Sequence, residues 1–163
     1  MTDISLPWTA AFVGLNGLIG FALSWIAVNA RTRSGVWHGE QADTASDRFA
    51  GQPASNVIAR MVEDKRTAPS DGSLQRAVRA HGNFAEYVPH GLLFVLVLEM
   101  SGKAAWLAIV TGGLLTLGRI IYSAGVLTVY GPSPMRFTGF MMTWAAYLMG
   151  SGACLWVAIA PGL

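Results

Sequence analysis

Residues 79–89 read RAHGNFAEYVP and lead directly into a long apolar segment. They place an arginine, an asparagine and a glutamate at the start of a run that is apolar enough to lie in a membrane. Ionisable side chains inside hydrocarbon are costly unless they pair with one another or line a cavity. The stretch therefore predicts either a functional site or a buried polar network within a membrane protein.

The composition of the whole chain agrees with a membrane protein. Of the 163 residues, 53% are hydrophobic and 12% are charged, whereas soluble domains average about 25% charged residues. Four apolar segments account for this, at residues 6–30, 87–98, 104–130 and 137–163. With its flanks, each reaches the roughly 20 residues that a membrane-spanning helix needs.

We predict an all-α integral membrane four-helix bundle that forms one domain over residues 1–163. The predicted transmembrane helices lie at about 6–30, 76–100, 104–130 and 136–160. The first apolar segment has no basic region before it and is longer than the apolar part of a signal peptide, so we expect it to be retained.

The basic residues are distributed unevenly between the two predicted sides of the membrane. The connection at about 31–73 and its edges carry eight of them: Arg31, Arg33, Arg48, Arg60, Lys65, Arg66, Arg76 and Arg79. Arg136 follows the third segment, and Lys103 lies on the opposite side. Because cytoplasmic loops are enriched in Lys and Arg, we predict a cytoplasmic connection and two non-cytoplasmic termini.

Several classes of ligand are not indicated by the sequence. The net charge is +2, and the basic residues of the connection are interspersed with acidic ones, so no nucleic-acid partner is predicted. Cys154 is the single cysteine, which excludes an intrachain disulfide and a cysteine metal cluster. The three histidines share no ligand spacing, so no metal site is predicted.

Helical projection groups the polar residues of the second helix. Six of them occupy one arc of about 100°: Arg76, Arg79, Asn83, Glu86, Tyr87 and His90. On the third helix Arg119, Tyr122 and Tyr130 share a face. One interpretation is a structural ion pair between Glu86 and Arg119; the other is a ligand site that uses the remaining residues.

The cytoplasmic helix ends are expected to be electropositive. Five arginines lie there, Arg31, Arg33, Arg76, Arg79 and Arg136, and they outnumber the nearby acids. Guanidinium groups bind carboxylates in a bidentate manner, and a nearby cation favours the thiolate form of a thiol. An anionic ligand that bears carboxylates and a thiol fits this pattern. For Arg31, Arg33 and Arg136, the alternative is anchoring at the membrane interface.

The sequence from Arg76 to Pro89 resembles the signature of the MAPEG family, the membrane-associated proteins of eicosanoid and glutathione metabolism. The agreement covers the following positions: Arg76, Arg79, Asn83, Glu86, Tyr87, Pro89, Arg119, Tyr122, Gly125 and Arg136. The run from His81 to Tyr87 is most similar to bacterial members. Residues 41–68 look like an insertion relative to the family.

The resemblance implies a homotrimer in the bilayer, here of the bacterial inner membrane, with glutathione bound as co-substrate between subunits near the cytoplasmic face. It implies Arg136 as the catalytic residue that stabilises the thiolate. The implied glutathione-binding residues are Arg31, Arg33, Arg76, Arg79, Asn83, Glu86, Tyr87, Arg119, Tyr122 and Tyr130.

The implied function is a glutathione-dependent transferase or peroxidase that acts on hydrophobic electrophiles or lipid hydroperoxides. Val126 stands where eicosanoid-synthesising members carry a tyrosine, and Tyr130 lies one turn later, so eicosanoid synthesis is disfavoured. A second hypothesis is a non-catalytic membrane binding protein, or an accessory subunit of a larger membrane complex. A third, a proton pathway through Glu86, His90 and Arg119, has weaker support because such residues also form structural pairs.

Overall fold

The computed structural model of this chain describes residues 5–34, 72–102, 105–129 and 131–159. These ranges contain four helices: α1 (Pro7–Ser34), α2 (Ser73–Met100), α3 (Ala105–Thr128) and α4 (Pro134–Ile159). Every regular element within them is a helix, so the predicted all-α four-helix fold is confirmed. The inserted segment at 41–68 and Tyr130 lie outside the described residues.

Proline and glycine set several of the helix ends. Pro7 and Pro134 open α1 and α4, a position where the missing N–H has no helical partner to lose. Gly102 follows α2 with a φ of 66° and donates its N–H to the carbonyl of Glu99 at 3.1 Å. A residue in the left-handed region at this point ends a helix, and glycine adopts it without strain.

Three of the described helices are long and apolar enough to cross a membrane, namely Pro7–Arg33, Ala105–Thr128 and Pro134–Ile159. The second predicted span is not among them, because the N-terminal half of α2 carries the polar residues of the signature. That helix instead packs against each of the other three. Its polar residues therefore lie beside protein on at least one face.

Neighbouring helices run antiparallel from α1 to α4. The start of α1 meets the end of α2, where Glu99 contacts Thr9. The middle of α2 meets the middle of α3, where a Cβ on Gly91 would collide with Leu115. The C-terminal ends of α1 and α3 and the N-terminal ends of α2 and α4 therefore share one end of the bundle, as the sequence-predicted site requires.

Among the described residues, the interior contains two apolar clusters. One contains Leu23, Ala80, Phe84, Val88 and Val126. The other contains Val95, Leu98, Ala108 and Ala153, with the half-buried thiol of Cys154 packed against it. Large apolar side chains also cover the outer surface, among them Phe21 at 71% exposed and Leu148 at 76%. Such surfaces suit a bilayer, whose hydrocarbon region is about 30 Å thick.

Glu99 caps the N-terminus of α1 from the last turn of α2. Its two carboxylate oxygens accept the backbone N–H groups of Trp8 at 2.9 Å and Thr9 at 2.6 Å. The first N–H groups of a helix lack internal partners, and the positive end of the helix dipole favours a carboxylate there. Glu99 therefore ties two helices together through charge-assisted hydrogen bonds.

We expect Glu99→Gln to lower the free energy of unfolding by about 1–2 kcal/mol, because the amide retains one acceptor oxygen and loses the charge. The melting temperature in detergent measures this, and it should fall by several degrees. Glu86→Gln on the same helix is the matched control, since this exposed carboxylate makes no hydrogen bond to another described residue. Equal melting temperatures for Glu99→Gln and the wild type would contradict the capping role.

Candidate functional site

Arg119 lies at the centre of the polar residues, 1% exposed on α3. Its Nη1 donates a hydrogen bond to Oδ1 of Asn83 on α2, and its Nε donates to Oγ1 of Thr143 on α4 at 3.0 Å. Its Cζ lies 5.0 Å from the ring centroid of Tyr87 and 4.7 Å from that of Tyr122. One guanidinium thus joins three helices through neutral hydrogen-bond partners and two aromatic rings.

Close contact between α3 and α4 brings Thr143 within reach of Arg119. A Cβ on Gly139 would lie 2.5 Å from the backbone nitrogen of Tyr122 and 2.6 Å from the carbonyl oxygen of Gly118. The Thr143 hydroxyl donates to the Gly139 carbonyl at 2.8 Å, so its lone pairs face Arg119. Glycine at the crossing is therefore part of the geometry of the site.

Tyr87 is held by a second tyrosine, Tyr147 of α4. The Tyr147 hydroxyl donates to the Tyr87 carbonyl at 2.7 Å, and the two rings meet edge to face with centroids 5.5 Å apart. Both line an apolar cleft of about 310 Å³ together with Trp144 and Leu148. The cleft places an apolar volume next to the aromatic ring that lies against Arg119.

Arg136 occupies the first turn of α4 at the mouth of a larger cleft, of about 430 Å³. Its Nη1 donates to the carbonyl of Gly131, which has a φ of 98°. The cleft is lined by Tyr122, Gly131, Pro132, Ser133, Arg136, Phe137 and Phe140. A fixed cation at a helix N-terminus makes this mouth favourable for an anion.

The structure brings together some of the predicted site residues and separates others. Asn83, Tyr87, Arg119 and Tyr122 form one connected group, and Tyr122 also borders the cleft of Arg136. The remaining described candidates lie nearer the surface: Arg33, Arg79 and Glu86 are exposed, whereas Arg31 and Arg76 are half-buried. Tyr130, the last predicted ligand, lies outside the described residues.

The predicted ion pair between Glu86 and Arg119 is not formed. Arg119 is buried and bonded to Asn83 and Thr143, whereas Glu86 is exposed on the outer side of α2. Asn83 and Glu86 are three residues apart on α2, so their side chains point about 60° apart around the helix axis. Asn83 therefore meets Arg119, and Glu86 does not. The arc predicted from the sequence therefore divides into an inner edge at Asn83 and Tyr87 and an outer edge at Arg79 and Glu86.

Val126 has a structural position. It is 1% exposed and packs in the first apolar cluster beside Leu23 and Phe84. No phenol reaches the interior from this point of α3. The tyrosines that contact Arg119 come from other positions, Tyr87 and Tyr122.

Sequence reasoning missed Thr143, Tyr147 and Phe140 of α4. Gly139, Thr143 and Tyr147 recur at intervals of four, which places them on one helix face. That spacing, in a segment without charges, was the available signal. Among the described residues, no group of three histidine, cysteine or acidic side chains is arranged to hold a metal ion.

We expect Gly139→Ala to destabilise the bundle by about 1–3 kcal/mol, because the added methyl group meets backbone atoms that cannot turn away. Thermal unfolding in detergent measures the effect. Gly152→Ala on the same helix is the control, since a Cβ there has no atom within 4 Å. Similar melting temperatures for the two variants would show that the α3–α4 contact is looser than the structure indicates.

Comparison with known proteins identifies relatives of this chain. The model of the MAPEG family matches residues 9–156. The inner membrane protein YecN of Escherichia coli K12 is 33% identical over 102 residues, which covers 61% of this chain and 76% of YecN. The protein of the same name from E. coli O6:H1 matches with the same identity and coverage. No solved structure gives a significant match.

Proposed function

Because this chain belongs to the MAPEG family, we propose that it is a glutathione-dependent membrane transferase or peroxidase. The observation that carries the proposal is the shared position of Arg136 and Tyr122 in one cleft with Phe137 and Phe140. A fixed cation there lies beside apolar side chains. This pairing suits a reaction between an anionic nucleophile and a hydrophobic acceptor.

The donor groups of the site fit glutathione, which carries two carboxylates and a thiol. Asn83 offers an amide, and Arg31 and Arg76 lie at the same end of the bundle. Arginine matches carboxylates in a planar, bidentate geometry. We propose that these residues bind the carboxylates, with Tyr87 and Tyr122 beside the peptide backbone of the ligand.

Arg136 is the proposed catalytic residue. Glutathione supplies a thiol, whose deprotonated form is the nucleophile. The hydrogen bond from Arg136 to the Gly131 carbonyl holds the guanidinium at the cleft, and its remaining N–H groups are donors that stabilise a thiolate. Phe137 and Phe140 keep the same volume apolar, which strengthens this electrostatic interaction.

The proposed acceptors are hydrophobic electrophiles and lipid hydroperoxides that reach the site from the bilayer. The cleft at Tyr87, Trp144, Tyr147 and Leu148 is almost wholly apolar, and Leu148 is among the most exposed large apolar side chains of the described residues. An acceptor dissolved in hydrocarbon can approach along such a surface. A water-soluble acceptor would gain little from this apolar surface.

We propose that copies of the chain assemble as a homotrimer in the inner membrane, with the outer edge of α2 facing a neighbouring copy. Arg79 and Glu86 are exposed on this edge although they belong to a membrane domain. A lone carboxylate facing lipid is costly, so a protein surface or a bound ligand is the favourable neighbour. The location follows the name of the E. coli relative, and the basic helix ends favour the cytoplasmic side for the site.

The second candidate is a non-catalytic binding protein or an accessory subunit of a larger membrane complex. Val126 favours it, since this buried side chain replaces the phenol found in eicosanoid-synthesising members. On that hypothesis the polar group around Arg119 serves stability alone. Absence of glutathione binding would exclude the first candidate, whereas a stabilised thiolate on bound glutathione would favour it over the second.

Isothermal titration of the purified protein in detergent should detect glutathione binding at micromolar to millimolar concentrations. S-methyl glutathione, which cannot form a thiolate, should bind through the same carboxylates. Heat at millimolar glutathione indistinguishable from a buffer injection, with folded protein, would exclude the transferase and peroxidase proposal.

Arg136→Leu should remove the ultraviolet absorption difference of bound thiolate while glutathione still binds, because the carboxylate-binding residues are retained. Arg136→Lys should preserve part of the signal, since an ammonium group also favours a thiolate. The difference spectrum between glutathione and S-methyl glutathione gives the measurement. A full thiolate signal in Arg136→Leu would assign the catalytic role to another cation.

A further inference from the structure

The buried guanidinium of Arg119 has no acidic partner among the described residues. Its contacts are the amide oxygen of Asn83, the hydroxyl of Thr143 and two tyrosine rings, and its Nη2 is buried without a hydrogen-bond partner. An apolar side chain of similar size would join the helices without the cost of burying a charge, so stability alone does not explain an arginine at this point. A residue retained in this state is a candidate for a functional role.

The contact with Asn83 has a directional consequence. A side-chain amide has an acceptor oxygen at one end and two N–H donors at the other. Because the guanidinium of Arg119 carries only donors, it can bond only to the oxygen end of the amide. The amide is thereby held in one of its two orientations, with its N–H groups turned away from Arg119.

Those N–H groups are left for a ligand. Among the described residues, the Asn83 side chain makes one hydrogen bond, in which its oxygen accepts from Arg119. Asn83 is half-buried on the inner edge of α2, one turn from Tyr87. No hydrogen bond among the described residues uses its two N–H donors, so they are available to a ligand that carries an acceptor such as a carboxylate.

We propose that Arg119 is a positioning residue that sets the specificity of the site for an anionic ligand through Asn83. It fixes the Asn83 amide as a hydrogen-bond donor, and it does not itself contact the ligand. This inference rests on the proposed binding of glutathione. It moves Arg119 from the ligand-contacting set to a supporting position behind Asn83.

Thr143 also holds the Arg119 guanidinium in place. Its hydroxyl proton is used on the Gly139 carbonyl, so the oxygen accepts from Nε of Arg119. Asn83 and Thr143 together fix the plane of the guanidinium from two helices. Removal of the Thr143 hydroxyl should loosen Arg119 while its charge is retained.

A double-mutant cycle on glutathione binding tests the proposal. Asn83→Ala should raise the Kd for glutathione about tenfold to hundredfold, because one hydrogen bond to a charged group is lost. Arg119→Met should weaken it by up to the same factor. In the Asn83→Ala background, Arg119→Met should change the Kd by less than about twofold, because residues that act as a unit are not additive.

Thr143→Val provides a second route if Arg119→Met fails to fold. It should weaken the Kd severalfold in the wild-type background and leave it unchanged in the Asn83→Ala background. At saturating glutathione the thiolate absorption should be retained in both the Thr143→Val and Arg119→Met proteins, since Arg136 is intact. A purely structural Arg119 would instead lower the melting temperature and leave the Kd of the folded protein unchanged.

The outcomes separate this inference from the proposal beneath it. If the wild-type protein does not bind glutathione, the proposed function fails and the inference fails with it. If the wild type binds, and Arg119→Met or Thr143→Val weakens binding further in the Asn83→Ala background, Arg119 acts on the ligand independently of Asn83. That result overturns the positioning role and leaves the proposed function in place.

Discussion

The charge of Arg119, held inside a membrane bundle by neutral partners, is the constraint on which the arrangement of α2, α3 and α4 depends. Its guanidinium presents donors in one plane, and Asn83 and Thr143 must reach that plane from opposite helices. Tyr87 and Tyr122 lie over it at cation–π distances. Rotation of α2 or α4 by one residue would remove a partner, so the polar contacts fix the rotation of each helix.

Polar contacts and close packing account for a larger share of helix association in lipid than in water. Hydrocarbon solvates apolar side chains as well as a neighbouring helix does, so the association of helices depends on close packing and polar contacts. The glycine contact at Gly118 and Gly139 supplies the first, and the network around Arg119 supplies the second. The cap of Glu99 on α1 fixes the remaining helix in the same manner. The bundle is thus held by a few directional interactions at defined depths.

The sequence was sufficient for the fold because the lengths of its apolar segments restrict the alternatives. Helical spacing was also sufficient to place Asn83 with Tyr87 on one face of α2, and Arg119 with Tyr122 on one face of α3. It was not sufficient for the partner of Arg119. Charge alone favours Glu86, whereas the choice between Glu86 and Asn83 depends on a helix rotation of about 60°, which periodicity does not determine.

Other parts of the site depend on contacts that no local pattern contains. The Glu99 cap joins residues 90 and 91 positions apart, and a glutamate at the end of an apolar segment has no signal for that partner. Thr143 and Tyr147 repeat at helical spacing, yet their roles require the depth at which α4 crosses α3. The trimer and the orientation of the termini remain predictions from the family and from the basic residues.

The two central arginines differ in a way that divides the site by task. Arg119 is 1% exposed and has neutral groups around it, so it can orient a neighbour and has no open face for a substrate. Arg136 is half-buried at a helix N-terminus and borders an open cleft. Tyr122 contacts both environments, because its ring lies against Arg119 and the residue also lines the cleft of Arg136. With Val126 in the core, Tyr122 is the phenol that lies between the proposed recognition site at Asn83 and the proposed catalytic site at Arg136.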